Sequence, residues 1–222
     1  MSKGSAPARS DGPARPRRAD ARRNRAKVLD AAEHLFVTAG QGVRIEDVAA
    51  AAGVGVGTVC RNFATKPDLL GAVLERMYEA LTADAHGALA EDDPVAAFDA
   101  FAYRMADLQA RRRVITELAP GEDLPVAPAV AHALRGAVEE LVARAQAAGG
   151  VRTDVSATDV LLLFAGIAQV TTIAEDLEPG VRRRYVTVLL DGLRPEGASS
   201  LSGRALDGDD LDAIRARRAA PR

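Results

Sequence analysis

Apolar positions recur along this chain with helical rather than strand spacing, and prolines and glycines cut the pattern into segments. No proline interrupts Arg17 to Lys66, room for three helices at about 22–39, 45–52 and 56–63. In the middle one, Ile45, Val48, Ala49 and Ala52 form a buried face, and Gly53 supplies the sharp turn after it. The next helix buries Val59 and Phe63. A long helix over about 66–90 carries Leu70, Val73, Leu74, Met77 and Leu81 on one stripe, with Thr65 and Asp68 resembling a capping box around Pro67. Asp93-Pro94 starts another, with Phe98, Phe101 and Met105 repeating toward Leu108, and Arg111-Arg112-Arg113 begins a shorter segment ending near Pro120. Pro120 to Pro128 reads as a loop. Val130–Ala148 is helical and stops at Gly149-Gly150; Ser156 and Asp159 form a capping box before the apolar helix Val160–Ile173. Pro179 opens the last long helix, which ends before Pro195, and a weak helical pattern returns at about 208–218. No alternating stretch is long enough for a sheet, so the expected fold is all-α.

The pair at 45–52 and 56–63 reads as a helix-turn-helix. Its second helix leaves Gly57, Thr58, Arg61 and Asn62 facing outward, with no bulky side chain at its start. That surface is small, polar and weakly basic, which suits close approach to a major groove.

The run from Asp47 through Ala-Ala-Ala-Ala-Gly53-Val-Gly-Val-Gly57-Thr58-Val-Cys60-Arg-Asn62-Phe63 to Lys66 resembles the DNA-binding signature of the TetR family of transcriptional repressors. So does the preceding Val28-Leu29-Asp-Ala31-Ala32-Glu-His-Leu35-Phe36 with Gly40. The segments Gln146–Val155 and Leu189–Leu193 are more weakly similar to the family's ligand-binding half. The resemblance implies four regions: a disordered basic arm (1–21), a DNA-binding domain (22–66), a ligand-binding and dimerisation domain (67–195), and a polar tail (196–222). It implies a homodimer on a palindromic double-stranded DNA operator, released by a small-molecule effector, with the helix after Lys66 joining the two domains. The last two long helices are too apolar to expose a full face, and pairing them with their copies makes a four-helix interface.

The expected DNA contacts are Arg44, Gly55, Val56, Gly57, Thr58, Cys60, Arg61, Asn62 and Lys66. Arg44 stands where many members carry Ser or Thr, trading a cap for a cation near the phosphates. Thr58 either meets a phosphate or thymine methyl, or bonds locally at its helix start. Lys66 matches the family's phosphate-binding lysine. Cys60 replaces the usual Tyr and loses its hydroxyl contact; it is either inert packing or a redox-sensitive thiol. Asn62 replaces the usual His or Tyr and still bonds a phosphate or base edge. For the effector, the candidates are Phe98, Phe101, Tyr103, Met105, His132, Phe164 and Gln169. The apolar ones read equally as core packing. His132 and Gln169 are polar groups in apolar surroundings, unless they face solvent.

Charge is distributed unevenly. Residues 1–27 carry nine basic groups against Asp11 and Asp20, a net of +7, so the remainder carries −9 of the overall −2. A basic arm on an acidic body fits a protein whose DNA contact lies at one end, its arginines meeting phosphates or the minor groove; the alternative is a solubilising tail. The single cysteine excludes an internal disulfide and fits a reducing cytoplasm. There is no apolar run of membrane-spanning length and no secretory signal pattern. His34, His86 and His132 have no metal-ligand spacing, and no nucleophile elbow, phosphate-binding loop or zinc-protease motif occurs. The chain reads as no enzyme and needs no cofactor. The rival reading is a non-enzymatic adaptor with the same fold that has lost specific DNA binding.

Overall fold

The computed structural model describes residues 14–119, 124–175 and 177–219; of the arm expected over 1–21, residues 1–13 lie outside them and 14–21 are helical. Among the described residues there are nine α-helices, one short 3-10 turn and no strand. The chain divides into two compact units, Met1–Lys66 and Pro67–Arg222.

The first unit holds α1 (Ala14–Ala39), the turn Gly40–Gly42, α2 (Ile45–Ala52) and α3 (Val56–Asn62). α1 reaches back to Ala14 instead of starting near residue 22. Ala and Arg are strong helix formers, and Pro16 falls in the first turn, where its missing N–H is not needed. Asp20 and Arg23 also form an ion pair one turn apart. Val28, Ala32 and Phe36 of α1 are wholly buried, as are Val48 of α2 and Val59 of α3, and together they make a small core.

The second unit is built around α5. α4 runs Lys66–Leu89, α5 Pro94–Glu117, α6 Pro128–Ala147, α7 Ala157–Ala174, α8 Val181–Gly192 and α9 Gly208–Ala219. α5 packs against α6, α7 and α8. Its start follows the sequence signal: the Asp93 carboxylate accepts from the N–H groups of Val95 (2.9 Å) and Ala96 (3.0 Å), with Pro94 at the first position. It does not break at Arg111-Arg112-Arg113. Arginine favours helix, and no proline or glycine follows before Glu117, so the helix continues with Ile115 fully buried. Arg113 pairs with Glu117 one turn on (2.5 Å) and donates to Gln169 of α7.

α7 opens with the expected reciprocal cap. The Ser156 hydroxyl accepts from the Asp159 N–H (3.0 Å), and the Asp159 carboxylate accepts from the Ser156 N–H (2.9 Å). α8 begins at Val181, after Gly180 in the left-handed region (φ 88°), rather than at Pro179. Three polar rungs tie α8 and the residues after it to α5: Asp107 to Arg182 (2.9 Å), Tyr103 to Thr187 (3.0 Å) and Asp99 to Arg194 (2.5 Å). Their spacing along α5 is one helical turn per rung, so all three sit on one face. Past α8 the tail doubles back, and α9 lies on α6 with Leu211 buried and Arg135 donating to the Gly208 carbonyl (3.1 Å) and Asp212 (3.2 Å).

Candidate functional site

In the first unit, the turn between α2 and α3 is set by Gly53, whose φ of 66° is a conformation that side chains with a Cβ rarely adopt. Its N–H closes α2 on the Ala49 and Ala50 carbonyls. Gly55 then stands extended before α3, and the Thr58 N–H bonds its carbonyl at 2.8 Å. The two short helices are held in place by burying Val48, Ala49, Ala52, Val59 and Phe63.

What remains outside is the candidate surface. Gly55, Val56, Gly57, Cys60, Arg61 and Asn62 are exposed, and Thr58 is half-buried. Thr58 organises its neighbours: its hydroxyl accepts from Arg61 (3.0 Å), and its carbonyl accepts from the Asn62 amide (2.8 Å). Both bonds lie at the surface, where each is exchangeable for a bond to an incoming partner at little net cost. Arg44 is exposed before α2, its backbone N–H donating to Asp47 (2.9 Å) and its guanidinium near Glu46 (3.8 Å). An arginine side chain has no acceptor, so only this half of a capping box forms. Lys66 differs from the others. Its ammonium donates to the Val43 carbonyl (3.0 Å) and lies over the Phe36 ring (5.3 Å), so it braces the unit's own core. Sequence reasoning missed Arg25, whose guanidinium stacks on Phe63 at 4.6 Å; a basic residue in a charge-rich helix gives no sign of such a partner.

In the second unit the effector candidates separate. Phe98, Phe101, Met105 and Phe164 are buried in the core. Tyr103 is half-buried, its hydroxyl on Thr187 and its ring under Arg183 at 4.6 Å. His132 and Gln169 are exposed, the alternative left open for them: His132 sits 3.7 Å from Asp212 of α9, and Gln169 takes a bond from Arg113. Helical periodicity marked their helices but not which neighbour would cover each face. A groove of about 700 Å³ opens elsewhere, lined by Val155, Asp159, Leu162, Leu163, Gly166, Ile167, Tyr185 and Leu201. None of the seven candidates lines it. Among the described residues no group of three or more His, Cys, Asp or Glu side chains is placed to hold a metal ion, and no helix is long and apolar enough to cross a membrane.

Comparison with known proteins agrees with this layout. Residues 28–73 match the model of bacterial regulatory proteins of the tetR family, and residues 93–195 match that of the transcriptional regulator SbtR-like C-terminal domain. A TetR transcriptional regulator from Streptomyces coelicolor is 31% identical, with 78% of this chain and 99% of that one covered and a TM-score of 0.65. A TetR regulatory protein from Mycobacterium vanbaalenii is 36% identical, covers 81% of this chain and 99% of its own, and gives a TM-score of 0.64. The regulator FadR from Bacillus subtilis, solved in complex with stearoyl-CoA, shares the fold at 12% identity, with 76% and 99% covered and a TM-score of 0.54. No curated protein matches the sequence. With two regulators more than 30% identical along nearly their whole length, and family models spanning both units, this chain belongs to the TetR family of transcriptional regulators.

Proposed function

We propose that the protein is a sequence-specific, ligand-responsive DNA-binding regulator: a cytoplasmic, non-enzymatic homodimer that represses transcription from a palindromic operator. The observation that carries this reading is the surface of α3. It offers two glycines before and within its first turn, Val56 at 40% exposure, and the polar ends of Arg61 and Asn62, with nothing bulky among them. A backbone so thinly covered can enter a major groove closely. Thr58, Arg61 and Asn62 are the proposed reading residues. Arg44 and the basic residues of the arm supply charge for phosphates, and Lys66 positions the helix pair while adding to that charge.

Dimerisation rests on α7 and α8, which leave Leu163, Tyr185 and Val188 at 44%, 45% and 61% exposure. A two-fold axis through that face pairs two recognition helices with successive major grooves, about 34–36 Å apart. The effector enters the second unit, where Phe98, Phe101, Met105 and Phe164 offer the apolar lining; Tyr103, His132 and Gln169 are its polar candidates. Its binding shifts α4, the helix that carries the chain from one unit into the other, and spoils the groove spacing. Full release needs several kcal/mol of preference for the non-binding state, about 5 for a complete switch.

The test is selection of bound duplexes from a random library at near-physiological salt. A recovered palindrome with two half-sites supports the reading and supplies the probe for an effector screen. No enriched sequence from folded protein rejects it in favour of the adaptor, a reading that the exposed thiol of Cys60 in place of a phosphate-binding hydroxyl would then explain.

A further inference from the structure

α1 is longer than the core of the first unit requires. It has 26 residues, yet among the described residues the side chains it buries run only from Val28 to Phe36. Leu29, Ala32 and Phe36 follow one another in steps of three and four, the spacing of a single helix face, and α1 packs on α2 and α3. Counting back from Leu29 in the same steps gives Arg25, Arg22, Arg18 and Arg15. One face of one helix thus changes from apolar to arginine where burial stops.

The junction between the two halves of that face is fixed. Arg25 is half-buried, its guanidinium 4.6 Å from the ring of Phe63, the residue that ends α3. Arg22, one turn earlier, is exposed. Asp20, the single acid between residues 14 and 29, pairs with Arg23, and both positions fall on other sides of the helix. Like charges aligned at three- and four-residue spacing repel one another in the free chain, and a facing polyanion removes that repulsion.

We infer that the first three turns of α1 are a phosphate rail: positions 15, 18 and 22 run along the backbone of the DNA just outside the half-site that α3 enters. The inference rests on the proposed DNA binding and deepens it, giving the charge of the arm a fixed register and extending the bound duplex beyond the half-sites. The register that turns Leu29 and Phe36 into the core turns the arginines to that same side of α1, and Arg25 joins the stripe to the end of α3. From Arg15 to Arg25 the stripe measures about 15 Å, the rise of roughly four base pairs. The forked donors of arginine suit phosphate oxygens, and contacts of this kind carry no base sequence.

The experiment is fluorescence anisotropy across a salt series with the duplex recovered by selection, in two lengths. One holds the half-sites alone; the other adds about ten base pairs, one helical turn, of unselected sequence at each end. Full-length wild type is compared with Arg18→Ala/Arg22→Ala and with Arg17→Ala/Arg23→Ala, which removes equal charge from other sides of α1; alanine keeps the helix. Wild type is expected to bind the longer duplex about tenfold more tightly. The first variant should lose most of that advantage, with a salt dependence shallower by about two ions per subunit, and the second should keep it. Equal losses in the two variants, or a wild type indifferent to flank length, overturn the rail and leave the DNA-binding reading standing. A first variant as tight as wild type on both duplexes overturns it too, and if that variant has lost its hold on phosphatidylglycerol vesicles, the occupant is a membrane surface. A wild type that selects no duplex overturns the DNA-binding reading and the rail together.

Discussion

The Pro125 carbonyl occupies the space where a Cβ on Gly71 would stand, with the Pro125 ring at 2.9 Å from the same point. Gly71 lies inside α4, so this glycine is there to seat the segment before α6 against the helix. The next turn repeats the attachment: the Ala127 N–H donates to Glu75 at 2.7 Å. Gly71→Ala therefore meets backbone rather than a flexible side chain and is expected to cost about 1–3 kcal/mol. Gly87→Ala, in the same helix with nothing within 4 Å of its Cβ position, should instead stabilise by about 0.5–1 kcal/mol. Urea denaturation of the two variants checks the contrast; equal effects would remove the seat from this account.

The rungs between α5 and α8 should differ in strength. Asp99 and Arg194 are 29% and 26% exposed, whereas Asp107, facing Arg182, is 59% exposed. Solvent screens the second pair, so Asp107→Ala should cost about 1 kcal/mol or less. Asp99→Ala strips a shielded guanidinium of its carboxylate and should cost about 2–3 kcal/mol. The ranking, read from denaturation midpoints, is the test, and a larger loss at Asp107 would contradict it.

Arg61 and Lys66 are expected to separate binding from folding. Arg61→Ala removes an exposed cation that donates to Thr58 at the surface, so stability should change by less than about 0.5 kcal/mol. DNA affinity should fall about tenfold, with the salt dependence shallower by about one ion. Lys66→Ala also frees the Val43 carbonyl and uncovers Phe36, so its melting temperature should fall together with affinity. Fluorescence anisotropy across a salt series, beside thermal melts, distinguishes the two.

The legibility of this chain followed the range of its interactions. The helix-turn-helix could be read because Ile45, Val48, Ala49, Ala52 and Gly53 act within a dozen residues, where periodicity and a single turn determine the outcome. The caps at Asp93 and Ser156 are equally local. Continuation of α5 through Arg111–Arg113 was not legible, because a triple charge resembles a boundary and the partner Gln169 lies far along the chain. The groove was hidden for the same reason. Leu163, Tyr185 and Leu201 meet only when α7, α8 and the tail come together, and aromatic or polar conspicuousness drew attention to Tyr103 and His132 instead.

Acid should loosen the tail late. The hydrogen bonds and charge of Arg152 hold Asp154 below its ordinary value, and Arg204 does the same to Asp210, assisted by the Asp207 backbone. A lowered carboxylate pKa stabilises the folded form fully above the ordinary aspartate value, and that contribution shrinks as pH falls toward the lowered one. Hydrogen exchange at the amides of residues 199–211 should thus stay constant from pH 7 to about 5, after correction for intrinsic rates, and quicken only below about pH 4. Loosening near neutrality would assign the tail's attachment to other groups.

The tail over residues 199–212 also bears on how the protein is made. Ser199 reaches back 47 residues to Arg152, and the α6 residue Arg135 waits 77 residues for Asp212. On a ribosome, the first unit has all of its partners in hand once Lys66 has emerged. The second unit does not: Arg135 of α6 and Ser156 at the start of α7 lack their tail partners until almost the last helix leaves the exit tunnel. Newly made chains therefore complete the helix-turn-helix unit before the second unit has its full set of contacts, and a stall in synthesis near residue 195 would release a chain lacking the bonds that Ser199, Leu206 and Asp212 supply.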